Sequence, residues 1–305
     1  MARFLTRRGI QALITIIVVL TIAFILVHLA GKPGALLVPS GTTQAGIDKV
    51  NQQLGYDDPI LVQYWHFIQS VFTGTFGTSF TQDLPAMSIV LERLPATIEL
   101  ALVSFGIGIG LAFIASFLLH ISRADWAQAA LVWLGSVRQA VPDFLFAVIL
   151  VLVFSVSLGV LPSLGDATPL SIVLPVATLA TAQFALYFRL FNASFGEQLH
   201  QDYVRTAYSK GQSHAQVVIR QLLPNAMLPI LTVAGLNLGA LLGGTVIIEQ
   251  VFSWPGLGSV LLTAVSTRDF PVVQAGLLVV ALAFIVVNLI VDLAYAILDP
   301  RVRFS

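Results

Sequence analysis

Residues 202–226 read DYVRTAYSKGQSHAQVVIRQLLPNA, a polar and amphipathic interruption in a chain that is otherwise oily. Gly211 splits the stretch, with Lys210 in the turn before it. This is how a short helix closes, with glycine in the left-handed conformation and a cation near the negative end of the helix dipole. Ser213 followed by Gln216 is a capping-box pattern that opens a second helix. Ala215, Val218, Ile219 and Leu222 then recur at i, i+3, i+4 and i+7 and form one apolar stripe, which Pro224 and Pro229 are expected to end.

The rest of the chain sets the surroundings of this element. Of 305 residues, 57% are hydrophobic and 10% charged, and the mean hydropathy is +0.91. An ordinary soluble domain is excluded, so the chain is read as an all-α integral membrane protein. A helix needs roughly 20 apolar residues to cross a hydrocarbon core of about 30 Å. Six segments qualify, near residues 10–30, 96–119, 139–160, 171–192, 225–249 and 273–298. The first begins after Arg7 and Arg8 but is too long for a signal-peptide core, and no small-x-small cleavage site follows, so it is retained as a helix.

Orientation follows from the basic residues, which favour the cytoplasmic flanks. With the N-terminus inside, Arg3, Arg7, Arg8, Arg123, Arg138, Arg189, Arg205, Lys210, Arg220, Arg301 and Arg303 are cytoplasmic, and only Lys32, Lys49, Arg93 and Arg268 are outside. Both termini and residues 202–226 are therefore expected to be cytoplasmic. With no cysteine, neither a disulfide framework nor a thiolate metal site is available.

A helix, turn, helix and proline wedged between spans resembles the coupling loop of ABC importer permeases, the EAA motif. Its pattern, E-A-A, three residues, Gly, nine residues, I-x-L-P, falls on Arg205, Thr206, Ala207, Gly211 and residues 221–224. Ala207, Gly211, Leu223 and Pro224 match; Arg205 and Thr206 depart from E-A but agree with the D-Y-V-R-T-A form of the dipeptide, oligopeptide and nickel branch. Residues 94–100 (LPATIEL), 244–258 (GTVIIEQVFSWPGLG), 268–274 (RDFPVVQ) and 288–303 (NLIVDLAYAILDPRVR) are similar to further signatures of that branch.

The resemblance implies a type I ABC importer (MetI-like) permease fold in a bacterial or archaeal cytoplasmic membrane. It assigns residues 1–30 to the first helix, 31–95 to an extracytoplasmic insertion, 96–298 to a five-helix core with a coupling segment at 193–224, and 299–305 to a cytoplasmic tail. It implies coupling to two ABC ATPase subunits that bind ATP and Mg, pairing with a second and non-identical permease, and an extracytoplasmic substrate-binding protein. The transported solute is expected to be a di- or oligopeptide, with nickel chelates, glutathione or other small solutes as the alternative. In that scheme the insertion and the loop near Trp254 face the binding protein; an insertion that merely plugs the bundle is the competing reading.

Other features are read from the residues alone. Residues 120–139 mix Trp and Arg as an interfacial helix does, and Pro142 restarts the chain into the third span. Pro59 and Gly74 bound a helix within the insertion. Gly235, Gly239 and Gly243 share one helical face, a small-residue seam for a second permease or for packing within the chain, and Gly106 and Gly110 repeat the spacing. Acids inside a membrane invite functional suspicion. Glu99 and Asp143 are each expected just after a helix-opening proline, Asp292 near a pairing Arg, and Glu249 at the end of the fifth span, either lining a gate or simply interfacial.

The five histidines share no ligand spacing, no P-loop motif occurs, and no catalytic triad or paired acid stands out, so the chain is read as non-catalytic, without a cofactor or metal of its own and without affinity for nucleic acid. A self-sufficient ion-coupled carrier would be expected to show inverted repeats and acids facing a cavity. In a membrane scaffold, residues 202–224 would be a plain surface helix.

Overall fold

The computed structural model describes residues 2–29, 31–39 and 41–298, and every named element among them is helical. In chain order these are α1 (Ala2–Leu29), α2 (Gly34–Leu37), α3 (Gln44–Gln53), α4 (Ile60–Thr73), α5 (Ala86–Ser122), α6 (Asp125–Ala140) and α7 (Asp143–Leu150). There follow α8 (Val173–Leu199), α9 (Asp202–Ser209), α10 (His214–Val217), α11 (Leu223–Gly244), α12 (Val246–Phe252), α13 (Leu257–Ser266) and α14 (Phe270–Leu298). A π-helical stretch, Val151–Ser157, extends α7, and another, Val218–Leu222, joins α10 to α11. The side chain of Asp292, Arg301, Arg303 and the tail expected at 299–305 lie outside the described residues.

Among the described residues, four helices are long and apolar enough to cross a bilayer: Gly9–Leu29, Ala86–Ser122, Pro169–Leu199 and Phe270–Ile290. Three further candidates are broken: Asp125–Ala140 with Asp143–Ser157 at 100°, His214–Met227 with Pro229–Leu241 at 45°, and Val246–Phe252 with Leu257–Ser266. Each of the six expected spans overlaps one of these segments, although the fifth, expected to run to 249, is interrupted after α11. The helices α12 and α13, of 7 and 10 residues, are each too short to cross alone.

The chain forms two compact units. In the first, Met1–Thr97 with Pro255–Val286, Leu20, Phe24 and Val27 of α1 share a core with Phe67, Phe76, Val90, Leu257, Phe270 and Leu278. The Leu261 side chain of α13 lies over Gly276 of α14, 2.4 Å from where a Cβ would stand, so a larger residue there would push that side chain aside. Asp269, 1% exposed, sits at the turn before α14. It accepts from Ser79 Oγ at 2.5 Å, Thr81 Oγ1 at 3.0 Å and Phe80 N at 3.1 Å, which fastens the loop before α5 to this turn.

Among the described residues the insertion holds α2, α3 and α4, and α5 already begins at Ala86 and passes through Pro95. Pro95 therefore does not open the helix. Its ring removes one backbone hydrogen bond that the turns on either side outweigh, and Glu99 stands exposed in mid-helix without the help of a dipole end. Pro59 and Gly74 do bound α4, with Gly74 left-handed at φ +69°.

In the second unit, Ile98–Trp254 with Val287–Ser305, Ser104, Gly108, Ala112, Ser116 and His120 recur every fourth residue on α5 and are all buried. A Cβ on Gly108 would lie 2.5 Å from Gln183 Cβ and 2.7 Å from the Ala180 carbonyl, so α5 and α8 touch backbone to backbone here. Gly106 and Gly110 lie off this seam, with no atom within 4 Å of an added Cβ. The reason is phase: a two-residue offset rotates a side chain by about 200° around the helix.

The corner between α6 and α7 is locked by Arg138, whose side chain is 9% exposed. Its guanidinium donates to Asp143 Oδ1 at 2.8 Å, the Thr178 carbonyl at 2.9 Å and Thr181 Oγ1 at 3.0 Å, and stands 4.1 Å from the Phe146 ring centroid. Asp143 does follow Pro142 as the first residue of its helix, and it has this cation as a partner as well.

Candidate coupling site

α8 runs on to Leu199, so the polar element starts at residue 200 rather than at 193. In α9, Val204 and Ala207 are buried while Asp202, Arg205, Thr206, Ser209 and Lys210 face outward. The helix closes with two carbonyl contacts. Gly211, at φ +76°, donates to the Tyr208 carbonyl at 2.9 Å, and Gln212 donates to that of Ala207 at 3.2 Å. This pair is a Schellman motif, which a left-handed residue makes possible. Two residues later the chain is capped again, since Ser213 Oγ accepts from Gln216 N at 3.4 Å and Ser213 N donates to Gln216 Oε1 at 2.9 Å. A turn closed at both ends within six residues has little freedom to bend.

The second helix departs from its expected course. Pro224 does not end it: the chain passes through the π-helical Val218–Leu222 directly into α11, and the bend falls near Pro229. A π turn bonds i to i+5, which makes room for a proline that would clash with the carbonyl four residues before it. The wider turn also shifts the phase of the apolar face. Val217, Val218 and Leu222 are buried at 0%, whereas Ile219 is 48% exposed and Ala215 is half-buried. The stripe thus runs through Val217 instead of Ile219, and Leu223 is half-buried beside the exposed Pro224.

His214 joins three elements, and its sequence gave no warning of this. Its Nε2 lies 2.8 Å from the His120 carbonyl, which only a ring N–H can satisfy. In the neutral ring Nδ1 then accepts from the Tyr208 hydroxyl at 2.7 Å, and the two rings lie within 3° of parallel. His120 is in the last turn of α5, where carbonyls lack a partner in their own helix. The imidazole therefore caps α5 while holding α9 against α10. The His120 ring is in turn held by the Ser116 carbonyl at 2.8 Å. Nearby, Tyr203 donates to Gln198 Oε1 at 2.5 Å, and burial pushes its phenol above the usual range.

Beneath the element lies an aromatic core of Tyr187, Phe188, Phe191 and Phe195 on α8, packed with Val204, Ala207, Val217 and Leu222. Ser194 Oγ donates to the Ala226 carbonyl at 2.9 Å and ties α8 to α11. Deeper still, Asn237 Nδ2 donates to Gln183 Oε1 at 2.6 Å and to the Tyr187 hydroxyl at 3.2 Å. The only sequence signal for that cluster was two amides within apolar spans.

Of the glycines on α11, Gly235 and Gly239 are buried, while Gly243 is exposed with no atom within 4 Å of an added Cβ. Glu249 does not end a span at a wet boundary. It is fully buried in α12, its Oε1 accepts from Thr245 Oγ1 at 2.9 Å, and its carbonyl accepts from Trp254 N at 2.8 Å. Glu249 thus belongs to α12, a separate short helix within the second unit, and not to the last turn of α11.

Comparison with known proteins covers the whole chain. Residues 105–304 match the family described as binding-protein-dependent transport system inner membrane component, and residues 1–101 match the N-terminal family of the same membrane components. The glutathione transport system permease protein GsiC of Salmonella typhimurium strain LT2 is 37% identical over 312 residues, and that of Escherichia coli strain K12 is 36% identical over 306, with 100% of both chains covered in each case. Among solved structures, an inward-facing conformation of the MetNI methionine ABC transporter superposes with a TM-score of 0.56 at 16% identity, covering 70% of this chain and 97% of the other. At that identity the likeness concerns the fold, which is the type I importer permease fold.

Proposed function

Because this chain belongs to the binding-protein-dependent transport system inner membrane component family, and is thus a permease of an ABC importer, we propose that residues 202–222 are the lever through which partner ATPases drive it. The observation that carries the reading is the doubly capped turn at Gly211 and Ser213, which presents Arg205, Thr206, Ser209 and Lys210 outward from a buried apolar footing. A lever has to move as a rigid body, since a pliant loop dissipates displacement. Two ATPase subunits, which bind ATP and Mg, press on that outward face from the cytoplasm, where the N-terminus and the C-terminus also lie. His214 passes the motion to α5, and the contacts of Val204, Ala207, Val217 and Leu222 pass it to α8.

The solute pathway is completed by a second, non-identical permease, against which the exposed Gly243 face is available, and an external binding protein delivers the cargo. The chain itself performs no chemistry. We assign the cargo as glutathione or a short peptide of its size, because full-length relatives at 36–37% identity are glutathione permeases and glutathione is itself a tripeptide. The test is reconstitution with both ATPases, the partner permease and the binding protein. Glutathione should stimulate ATP hydrolysis and uptake more than dipeptides or nickel chelates do. Stimulation by dipeptides alone would overturn the cargo and spare the lever, while an assembly in which residues 202–222 touch no other subunit would overturn the lever.

A further inference from the structure

Sequence places residues 31–95 outside the membrane, but the contacts of α4 with α1 put this helix at membrane depth. The Tyr64 hydroxyl is 2.9 Å from Thr21 Oγ1, and the Tyr64 and Phe67 rings lie 5.1 and 5.7 Å from that of Phe24. Gly9–Leu29 is just long enough to span the hydrocarbon core. Phe24 and Thr21 are five and eight residues before Leu29, hence about 7 and 12 Å below that end at about 1.5 Å per residue. The side of α4 that packs on Thr21 and Phe24 therefore lies within reach of the acyl chains.

The exposed surface of α4 has two different flanks. Leu61, Trp65 and Phe72 are 79%, 60% and 86% exposed, and at about 100° per residue they fall within about 40° of one another. His66, Gln69 and Thr73, also exposed, fall on an adjacent arc centred about 90° further round, which Val62, 39% exposed, shares, with the α1-facing residues Tyr64, Phe67 and Val71 on the remaining side. On α1, Ile22, Ile25 and Leu26 are likewise about half exposed. Polar groups near the contact are satisfied within the unit: Gln63 bonds His28 Nε2 at 2.7 Å and the Asp58 carbonyl at 2.8 Å, and Ser70 bonds the Phe67 carbonyl at 2.7 Å. A helix bordering hydrocarbon requires such pairing.

From this we infer that α4 is an interfacial helix, with Leu61, Trp65 and Phe72 immersed in the acyl chains of the leaflet at the Leu29 end of α1 and its polar flank turned to water. It anchors the insertion to lipid, independently of any partner subunit. A partner protein would cover the same face without requiring an apolar and a polar flank side by side.

The absence of cysteine makes the test direct. Nitroxides are attached to Leu61→Cys, Trp65→Cys, Phe72→Cys and Gln69→Cys in the assembled transporter in phospholipid nanodiscs, and their collisions with oxygen and with a water-soluble nickel chelate are compared. The first three labels should meet oxygen several-fold more readily than the chelate, and the label at 69 the reverse. Chelate access at 61, 65 and 72 equal to that at 69 would mean an aqueous subdomain, and exclusion of both colliders would mean a protein partner; either overturns the proposal. As a check free of labels, the fluorescence lost on Trp65→Tyr should be the fraction quenched by brominated acyl chains, and an unquenched fraction would count equally against it.

Discussion

Asp269 and His214 each fasten a loop to the end of a long helix, but in opposite surroundings. Asp269 is 1% exposed and takes four donors on one carboxylate, from three residues of a loop 188–190 positions earlier in the chain. His214 is half-buried, bonds one hydroxyl and one carbonyl, and sits beside a turn open to solvent. Removing a partner from a buried, charged cluster strands every donor around it, whereas a group near water can be replaced by water. The first fastening should therefore be needed for the fold itself, and the second mainly for how the folded protein moves.

Mutations can break this contrast. The largest effect is expected for Asp269→Ala, which removes the acceptor shared by Ser79, Phe80 and Thr81 and should cost about 3 kcal/mol, seen as loss of membrane-inserted protein or a lowered melting temperature in detergent. A variant that accumulates and melts like the parent would show that the cluster is incidental. Next is Gly108→Val, since even its Cβ would meet the Ala180 carbonyl at 2.7 Å; helix separation should cost about 1–3 kcal/mol, while Gly106→Val should be tolerated. Equal melting temperatures for the two would remove the seam from α5.

Gly211→Val tests the other side of the comparison. No atom lies within 4 Å of the added Cβ, so the penalty is backbone strain at φ +76°, about 1–2 kcal/mol, confined to the turn. Assembly with the ATPases should survive while uptake per ATP hydrolysed falls; an unchanged ratio would rule out a lever. The smallest stability effect belongs to His214→Ala, about 1 kcal/mol for two hydrogen bonds near solvent. Its coupling ratio should nevertheless drop, with Tyr208→Phe producing part of the same loss and adding little to it in the double variant. Fully additive losses would mean that the two rings do not act as one clamp.

How much was legible in advance depended on the range of the interactions. Four of the expected spans, the stops at Pro59, Pro142, Gly74 and Gly211 and the cap at Ser213 lie where local pattern places them, while the expected third and fifth spans are bent or interrupted. Prolines misled where a neighbouring turn could absorb them, at Pro95 within a long helix and at Pro224 behind a π turn. The clamp was invisible because Tyr208 and His214 occupy positions that no motif specifies, and its third member, His120, is 94 residues from His214.

By itself the sequence determined that this is a helical membrane protein with a stiff polar element between spans, because hydropathy, glycine and capping residues act over a few neighbouring positions. Only the tertiary structure decided which faces are buried: Gly108 rather than Gly106, Val217 rather than Ile219, Glu249 inside rather than at the boundary. Those choices depend on the phase of one helix against another, and a single residue or one widened turn is enough to rotate it.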